Sequence, residues 1–183
     1  MHVRLWCCLA LGLLVGGSVC RADLPRTHLF VAGEGGYALY RIPALASTPQ
    51  GTLLAVCEAR SRRDSDWSQT DLLFRRSDDR GQTWSAAAPI VPRPPGLERN
   101  PVALAQKLGT PEERTLHNPV LIPARDGTVH LLFGAEYNRV YSSRSRDDGR
   151  TFEPAQDLTA VLDRFRTEYD WKVGAVGPGH GLE

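Results

Sequence analysis

Apolar residues in this chain come in short runs, each closed by a turn residue. Residues 39–47 form one such run, Gly51 turns the chain, and residues 52–57 form the next. Residues 71–76 follow, and Trp84 opens a further run after a turn at Gly81. The order then recurs: 119–122, the turn Asp126-Gly127, 128–133, 139–143, and Phe152 onward. Short runs bounded by Gly, Pro and Asp predict strands. Here they fall into two antiparallel sets of about four. An all-β chain is expected.

Two of the turns are copies of one another. Ser77-Asp78-Asp79-Arg80-Gly81-Gln82-Thr83-Trp84 and Ser145-Arg146-Asp147-Asp148-Gly149-Arg150-Thr151-Phe152 share the pattern Ser-x-Asp-x-Gly-x-Thr-aromatic and start 68 residues apart. Each fixed position has a mechanical use. The Ser and Asp side chains can accept bonds from turn amides, Gly permits a left-handed backbone angle, and the aromatic ring can fold under the hairpin. A repeat of four-stranded units with periodic Gly and aromatic turns is the signature of a β-propeller; a β-sandwich also uses evenly spaced short strands. Propeller repeats run about 40–50 residues, so something is inserted. The excess is placed at 93–116, rich in proline and charge, mainly loop, with one or two helical turns at 103–108. The tail from Leu158, with Trp171 and the turn Gly177-Pro178-Gly179-His180-Gly181, reads as the start of a third unit.

With 22 basic and 21 acidic side chains among 183 residues, the charge balance gives no reason to expect a nucleic acid or an anionic membrane as partner. Residues 1–22 differ from the rest. Arg4 precedes an apolar run at 5–15, followed by Gly16, Gly17 and Ser18, which is the layout of a secretory signal. The run is too short for a bilayer, which needs about 20 residues as a helix. Cleavage is expected after Ala22, or else after Cys20, giving a secreted or periplasmic chain of residues 23–183. A lipid anchor at Cys20 and a buried N-terminal helix are the alternatives. Cleavage would remove Cys7, Cys8 and Cys20 and leave Cys57 alone in an apolar run, where it reads as a buried small residue. Loss of Arg4 and Arg21 takes the basic count from 22 to 20 against 21 acids, a net charge of −1.

Tyr40-Arg41-Ile42-Pro43-Ala44-Leu45 places an arginine at a proline-stiffened strand start. Its planar fork suits bidentate binding of a carboxylate. Together with the two turns, this stretch resembles the sialidase (neuraminidase) family, whose Asp-box (BNR) repeats have the same pattern. The resemblance covers nearly all of residues 23–183. It implies a six-bladed β-propeller, here represented by its first two to three blades. The Asp-box is then a structural turn on the rim; calcium binding by Asp78, Asp79, Asp147 and Asp148 is the alternative, although the spacing lacks the glutamate of a calcium loop.

The same resemblance assigns residues. Arg41 is one of three arginines that clamp the sugar carboxylate. Arg60, in Glu58-Ala59-Arg60, is a second site arginine near the ring substituents. The acid/base aspartate lies on the following loop, where Asp64 and Asp66 compete; Asp66 is chosen, because it stands at the family's distance from Arg75-Arg76 and in Ser65-Asp66-Trp67. Asn118, in His117-Asn118-Pro119, lines the pocket and can bond a hydroxyl or amide with both ends of its side chain, though Asn-Pro is also a common turn starter. His180 reads as structural. Nearby Arg60, Arg62 and Arg63 would disfavour a proton on Asp66. The substrate carboxylate at Arg41 is expected to offset them, so that Asp66 becomes a competent acid only in the complex.

The resemblance thus implies a secreted exo-α-sialidase that releases terminal sialic acid from glycoproteins, glycolipids and oligosaccharides with retention. No metal and no other cofactor is called for. Sialidases use a tyrosine nucleophile, paired with a glutamate and joined by two further arginines; nothing in the 183 residues fits these by motif, and Tyr137, Tyr141 and Tyr169 lack the setting. The chain is therefore expected to be an incomplete part of the catalytic domain, with no sialoside hydrolysis by residues 23–183 alone. Two other readings remain: a non-catalytic Asp-box propeller that binds glycans or proteins, and a glycosidase for another substrate, which would not need the anionic clamp.

Overall fold

The computed structural model describes residues 26–177 and 181–183. The export-signal segment 1–22, with Cys7, Cys8 and Cys20, and the turn residue His180 lie outside the described residues. Among the described residues no helix is long and apolar enough to cross a membrane.

Two four-stranded antiparallel sheets form from the two sets of runs. The first is β1 (Leu39–Ser47), β2 (Leu53–Arg60), β3 (Thr70–Ser77) and β4 (Ala88–Pro89) in that order. A connecting segment carries α1 (Pro101–Gln106). The second sheet is β5 (Leu116–Pro123), β6 (Val129–Ala135), β7 (Arg139–Ser145) and β8 (Gln156–Asp157). Then comes α2 (Thr159–Asp163). β1 and β5 pack side by side, so the two innermost strands line one seam. Leu54, Val56, Leu72, Leu116, Leu131 and Phe133, each at most 1% exposed, fill the space between the sheets. β2 is buried from Leu54 to Arg60, which is why it reads as a continuous apolar run rather than an alternation. Cys57 is buried and free, and burial pushes its thiol up to about 12.

The outer strands are shorter than the runs from Trp84 and Phe152 predict. Neither aromatic residue joins a strand. The Trp84 indole donates to Gly81 O at 3.1 Å, and Phe152 stands edge-on to Phe74 of the first sheet at 5.8 Å. Within each turn the aspartate is saturated by its own loop. Asp79 accepts from Ser77 Oγ (2.8 Å), Thr83 N (2.8 Å) and Thr83 Oγ1 (2.6 Å). Asp147 repeats this with Ser145 (2.7 Å) and Thr151 (2.9 and 2.6 Å). The Thr83 bonds hold Asp79 at about 2; at Asp147 partial burial opposes the shift, but the Thr151 bonds win and it too lies at about 2. Gly81 and Gly149 take the left-handed angles the pattern requires (φ 90° and 79°).

The second turn also locks the sheets together. Asp148, just before Gly149, accepts from Arg76 of β3 at 2.7 Å through its carboxylate and at 2.8 Å through its carbonyl, and takes the Thr52 hydroxyl as well. A Cβ on Gly149 would lie 2.7 Å from Leu54 Cδ2.

The insertion is in two places. Residues 93–115 are mainly loop with α1, as the composition predicts. In addition, Leu53 and Val129 hold the same register place, paired with Ser77 and Ser145. Leu53 and Val129 are 76 residues apart but Ser77 and Ser145 only 68, so the β2–β3 loop exceeds its β6–β7 counterpart by eight residues. That longer loop carries Asp64, Asp66 and Trp67. The tail differs from the expected third unit: among the described residues, α2 and turns follow β8, with no further strand.

Candidate active site

Each innermost strand breaks its ladder at the same place. Register shifts lie between Arg41 and Ala44 and between His117 and Val120. A residue before proline is steered away from the helical angles, and at these bulges Ile42 and Asn118 take positive φ (51° and 52°). For a β-branched residue such as Ile42 this is an uncommon, strained angle. A bulge re-aims neighbouring side chains. Here it turns Arg41 and His117, at equivalent places in the two strands, toward the seam.

Arg41 reaches the long β2–β3 loop. Its Nη1 lies 3.2 Å from Asp66 Oδ1, with both side chains about half exposed (49% and 57%). Arg60, two residues from Glu58 and hence on the same face of β2, contacts the same Oδ1 through its own Nη1. Arg60 is only 4% exposed; its Nε (2.9 Å) and Nη2 (2.5 Å) both donate to Glu58 Oε2. Glu58, 1% exposed, spends its other oxygen on the Asn118 backbone N–H at 2.9 Å. Burial raises the Glu58 carboxyl above its usual range, against the pull of Asn118 and Arg60. At Arg60 burial acts downward, but Glu58 and Asp66 outweigh it and the guanidinium is held above its usual value.

The bonds continue into the second sheet and return. Asn118 Oδ1 lies 2.8 Å from His117 Nδ1. His117 Nε2 accepts from Tyr137 N–H at 3.0 Å. The Tyr137 hydroxyl donates to the Asp66 carbonyl at 3.3 Å. Asp66, Arg60, Glu58, Asn118, His117 and Tyr137 therefore form a closed ring. Its aromatic side is stacked: His117 on Tyr137 at 3.9 Å and 11°, and Tyr137 against Trp67 at 4.7 Å. Burial first, then Glu58 and Asp66, raises the Tyr137 phenol above its usual range. His117 is fully buried, and desolvation pushes its pKa down to about 4 against the bond to Asn118. Its ring fits because Gly134 stands opposite in the register; a Cβ there would lie 2.1 Å from His117 Cε1.

A second buried pair holds the loop from behind. Arg99 and Glu136, 3% and 0% exposed, pair at 3.1 Å. Arg99 Nη2 donates to the carbonyls of Trp67 and Leu108, both at 2.6 Å. Glu136 also accepts the N–H of Asn100 (2.9 Å) and Thr115 (2.7 Å). The inserted segment 93–115 is thereby tied to the residue next to Asp66.

The four residues singled out in the sequence, Arg41, Arg60, Asp66 and Asn118, thus lie in one bonded cluster. Asp64 does not join it: its carboxylate faces Arg62 at 3.7 Å and is 78% exposed. Arg62 also turns to Glu113 at 3.6 Å rather than toward Asp66. Arg60 is enclosed, and its contact on the solvent side is Asp66, 57% exposed. Sequence alone assigns no site role to Glu58, His117 or Tyr137. A signal for Glu58 was its i, i+2 relation to Arg60, and for His117 its place before an X-Pro step matching Arg41. Tyr137 carried none, since its partners come from three distant segments.

No family model matches the chain. Curated relatives do. An exo-alpha-sialidase of Aspergillus fumigatus is 27% identical over 80% of this chain and 39% of its own length. Mouse sialidase-2 is 31% identical over 81% of this chain and 40% of its own, and human sialidase-4 is 31% identical over 86% and 33%. The chain spans between a third and two fifths of the length of these relatives. Among solved structures, the leech intramolecular trans-sialidase complexed with 2,7-anhydro-Neu5Ac superposes with a TM-score of 0.65, at 14% identity, over 87% of this chain and 40% of that one. The intramolecular trans-sialidase of Ruminococcus gnavus, in complex with oseltamivir carboxylate, gives 0.63 at 15% identity over 84% and 54%. The two sheets are accordingly blades of a partial β-propeller, and the chain belongs to the sialidase family.

Proposed function

We propose that the protein carrying this chain is an exo-α-sialidase acting with retention on terminal sialic acid of glycoproteins, glycolipids and oligosaccharides, and that this chain supplies its acid/base and part of its anion clamp. One observation supports this above others: Arg41 and Arg60, from adjacent strands, converge on a single oxygen of Asp66 at the open edge of the cluster. Arg41 has the exposure and the spare fork to take a carboxylate. The incoming sugar carboxylate replaces Asp66 there. Asp66 then gives a proton to the leaving oxygen and takes one back from the attacking water. Asn118 contacts the sugar from the second blade. In this chemistry the nucleophile is a tyrosine; no residue of this chain is given that role. Residues 1–22 serve as the export signal, which N-terminal sequencing of secreted protein beginning at Asp23 checks.

Hydrolysis of a fluorogenic sialoside by the full-length protein tests the reading. Asp66→Ala should lower kcat by about 10²–10⁴, and Arg41→Ala should act mainly through KM. Sialoside binding without turnover would favour the non-catalytic propeller instead. Equal cleavage of an uncharged glycoside, or an unchanged rate for Asp66→Ala, defeats the proposal.

A further inference from the structure

The orientation of the Asn118 amide follows from a backbone group. The Tyr137 N–H is a donor under all conditions, and it points at His117 Nε2 from 3.0 Å. That nitrogen is therefore the lone-pair nitrogen of a neutral imidazole, and the ring proton sits on Nδ1. Burial keeps the ring neutral near physiological pH, since it pushes the pKa down to about 4. Nδ1–H stands 2.8 Å from the Asn118 side chain, and the atom that accepts it must be Oδ1, because the reverse orientation would oppose two donors. A half-turn of the imidazole is no escape. It would put carbon at both bonded places, and the ring is fixed by its 3.9 Å stack on Tyr137 and by the fit over Gly134. The atom left over is Asn118 Nδ2. Among the described residues it has no acceptor.

We propose that His117 is a positioning residue that makes Asn118 a donor-only contact in the sugar site. The substituent read there is then one that offers a lone pair, a hydroxyl or acyl oxygen, and an ammonium at the same place is rejected. This rests on Asn118 lining the sialic acid site, and it narrows the two-ended contact that the sequence allows. A donor facing a cationic donor leaves both unpaired, a difference of about ten- to a hundredfold in affinity.

Two measurements test it on the full-length protein. Imidazole nitrogen NMR shifts should show His117 as the Nδ1–H tautomer; an Nε2–H tautomer overturns the proposal. Binding is then measured for a 2,3-didehydro sialic acid glycal and for analogues in which one ring hydroxyl at a time becomes an amine. The wild type should prefer the hydroxyl at one position by about ten- to a hundredfold. Asn118→Asp, which presents an acceptor instead, should invert that order at the same position. His117→Phe, which frees the amide to turn, should narrow the ratio while the parent glycal still binds. An unchanged ratio in Asn118→Asp overturns the proposal, and this variant carries the test by itself if His117→Phe does not fold. If no glycal binds the wild type, the sialic acid reading fails and takes the ligand half of the inference with it, while the tautomer result separately decides the His117–Asn118 half.

Discussion

Acid should destabilise this fold through His117 before it does so through the carboxylates. The ring is fully buried, and its pKa falls from 6.5 to about 4, first by desolvation and then by the field of Arg60. Between those values the unfolded chain takes up a proton that the folded chain refuses. The unfolded state binds more protons there, so stability rises with pH across the window and is lost as pH falls through it. A shift of about 2.5 units at about 1.4 kcal/mol per unit gives a total loss of about 3 kcal/mol, of which about 2 kcal/mol has appeared by about pH 5. Asp79 and Asp147 have lowered values near 2. Their contributions are intact above the ordinary aspartate range and fade only as pH falls toward about 2, below the histidine window. Urea unfolding from about pH 7 to pH 5, wild type beside His117→Gln, isolates the effect. The quantity read is the slope against pH, so a lower starting stability in the variant does not matter. Parallel slopes for the two proteins, or an NMR signal from a protonated His117 ring at about pH 5, would refute the reasoning.

Gly134→Ala places a methyl 2.1 Å from the His117 ring; it should lose about 1–3 kcal/mol in the same unfolding assay and abolish the single tautomer in the NMR spectrum. Asp148→Ala removes the carboxylate that Arg76, 9% exposed, bonds across the blades while Asp78 stays in place, and should lose about 1.5–3 kcal/mol, the range for a hydrogen bond to a charged group, with Asp78→Ala, at a 64% exposed carboxylate, losing far less. Glycal binding measured by calorimetry in buffers of different ionisation enthalpy should show net proton uptake in the wild type and none in Asp66→Asn; uptake that persists in the variant assigns the proton elsewhere.

The strands were legible because each is a local pattern: an apolar run, a turn, and another run. The seam was half legible. Ile42-Pro43 and Asn118-Pro119 mark where proline removes a ladder donor and the two strands bulge, but the positive φ at Ile42 and Asn118 is set by the surrounding fold, since proline by itself favours extended angles. The lengths of β4 and β8 were not legible. Trp84 and Phe152 look like strand residues by propensity, yet the turn of the first and the neighbouring blade of the second claim them. The partners of the buried charges were beyond reach for another reason. Arg99 and Glu136 are 37 residues apart, and Glu58 meets Asn118 across 60. No local rule pairs such residues; only the stacking of one blade on the next does. Asp66 over Asp64 was a choice made by motif, and the structure separates the two carboxylates by partner, Arg41 and Arg60 for one and Arg62 for the other.

The two arginines of the cluster are not equivalent, and the difference decides which one receives an anion. Arg60 is enclosed and already paired with Glu58, which accepts three hydrogen bonds against the cost of its burial. Displacing that carboxylate would strand a buried charge, a loss of about 3–5 kcal/mol. Arg41 has only Asp66, at 3.2 Å, with both side chains half in water. An exposed pair of this kind is worth about 1 kcal/mol or less, so a substrate carboxylate can take its place at little cost. Arg41, Arg60, Glu58 and Asp66 together sum to zero charge. On the proposed function the arriving anion would leave the group one negative charge in excess, which a proton taken up at Asp66 would offset. Anion binding and the loading of the acid thereby become one event. On that proposal Glu58 sets the count: without it the two arginines would balance both carboxylates and no proton uptake would be called for.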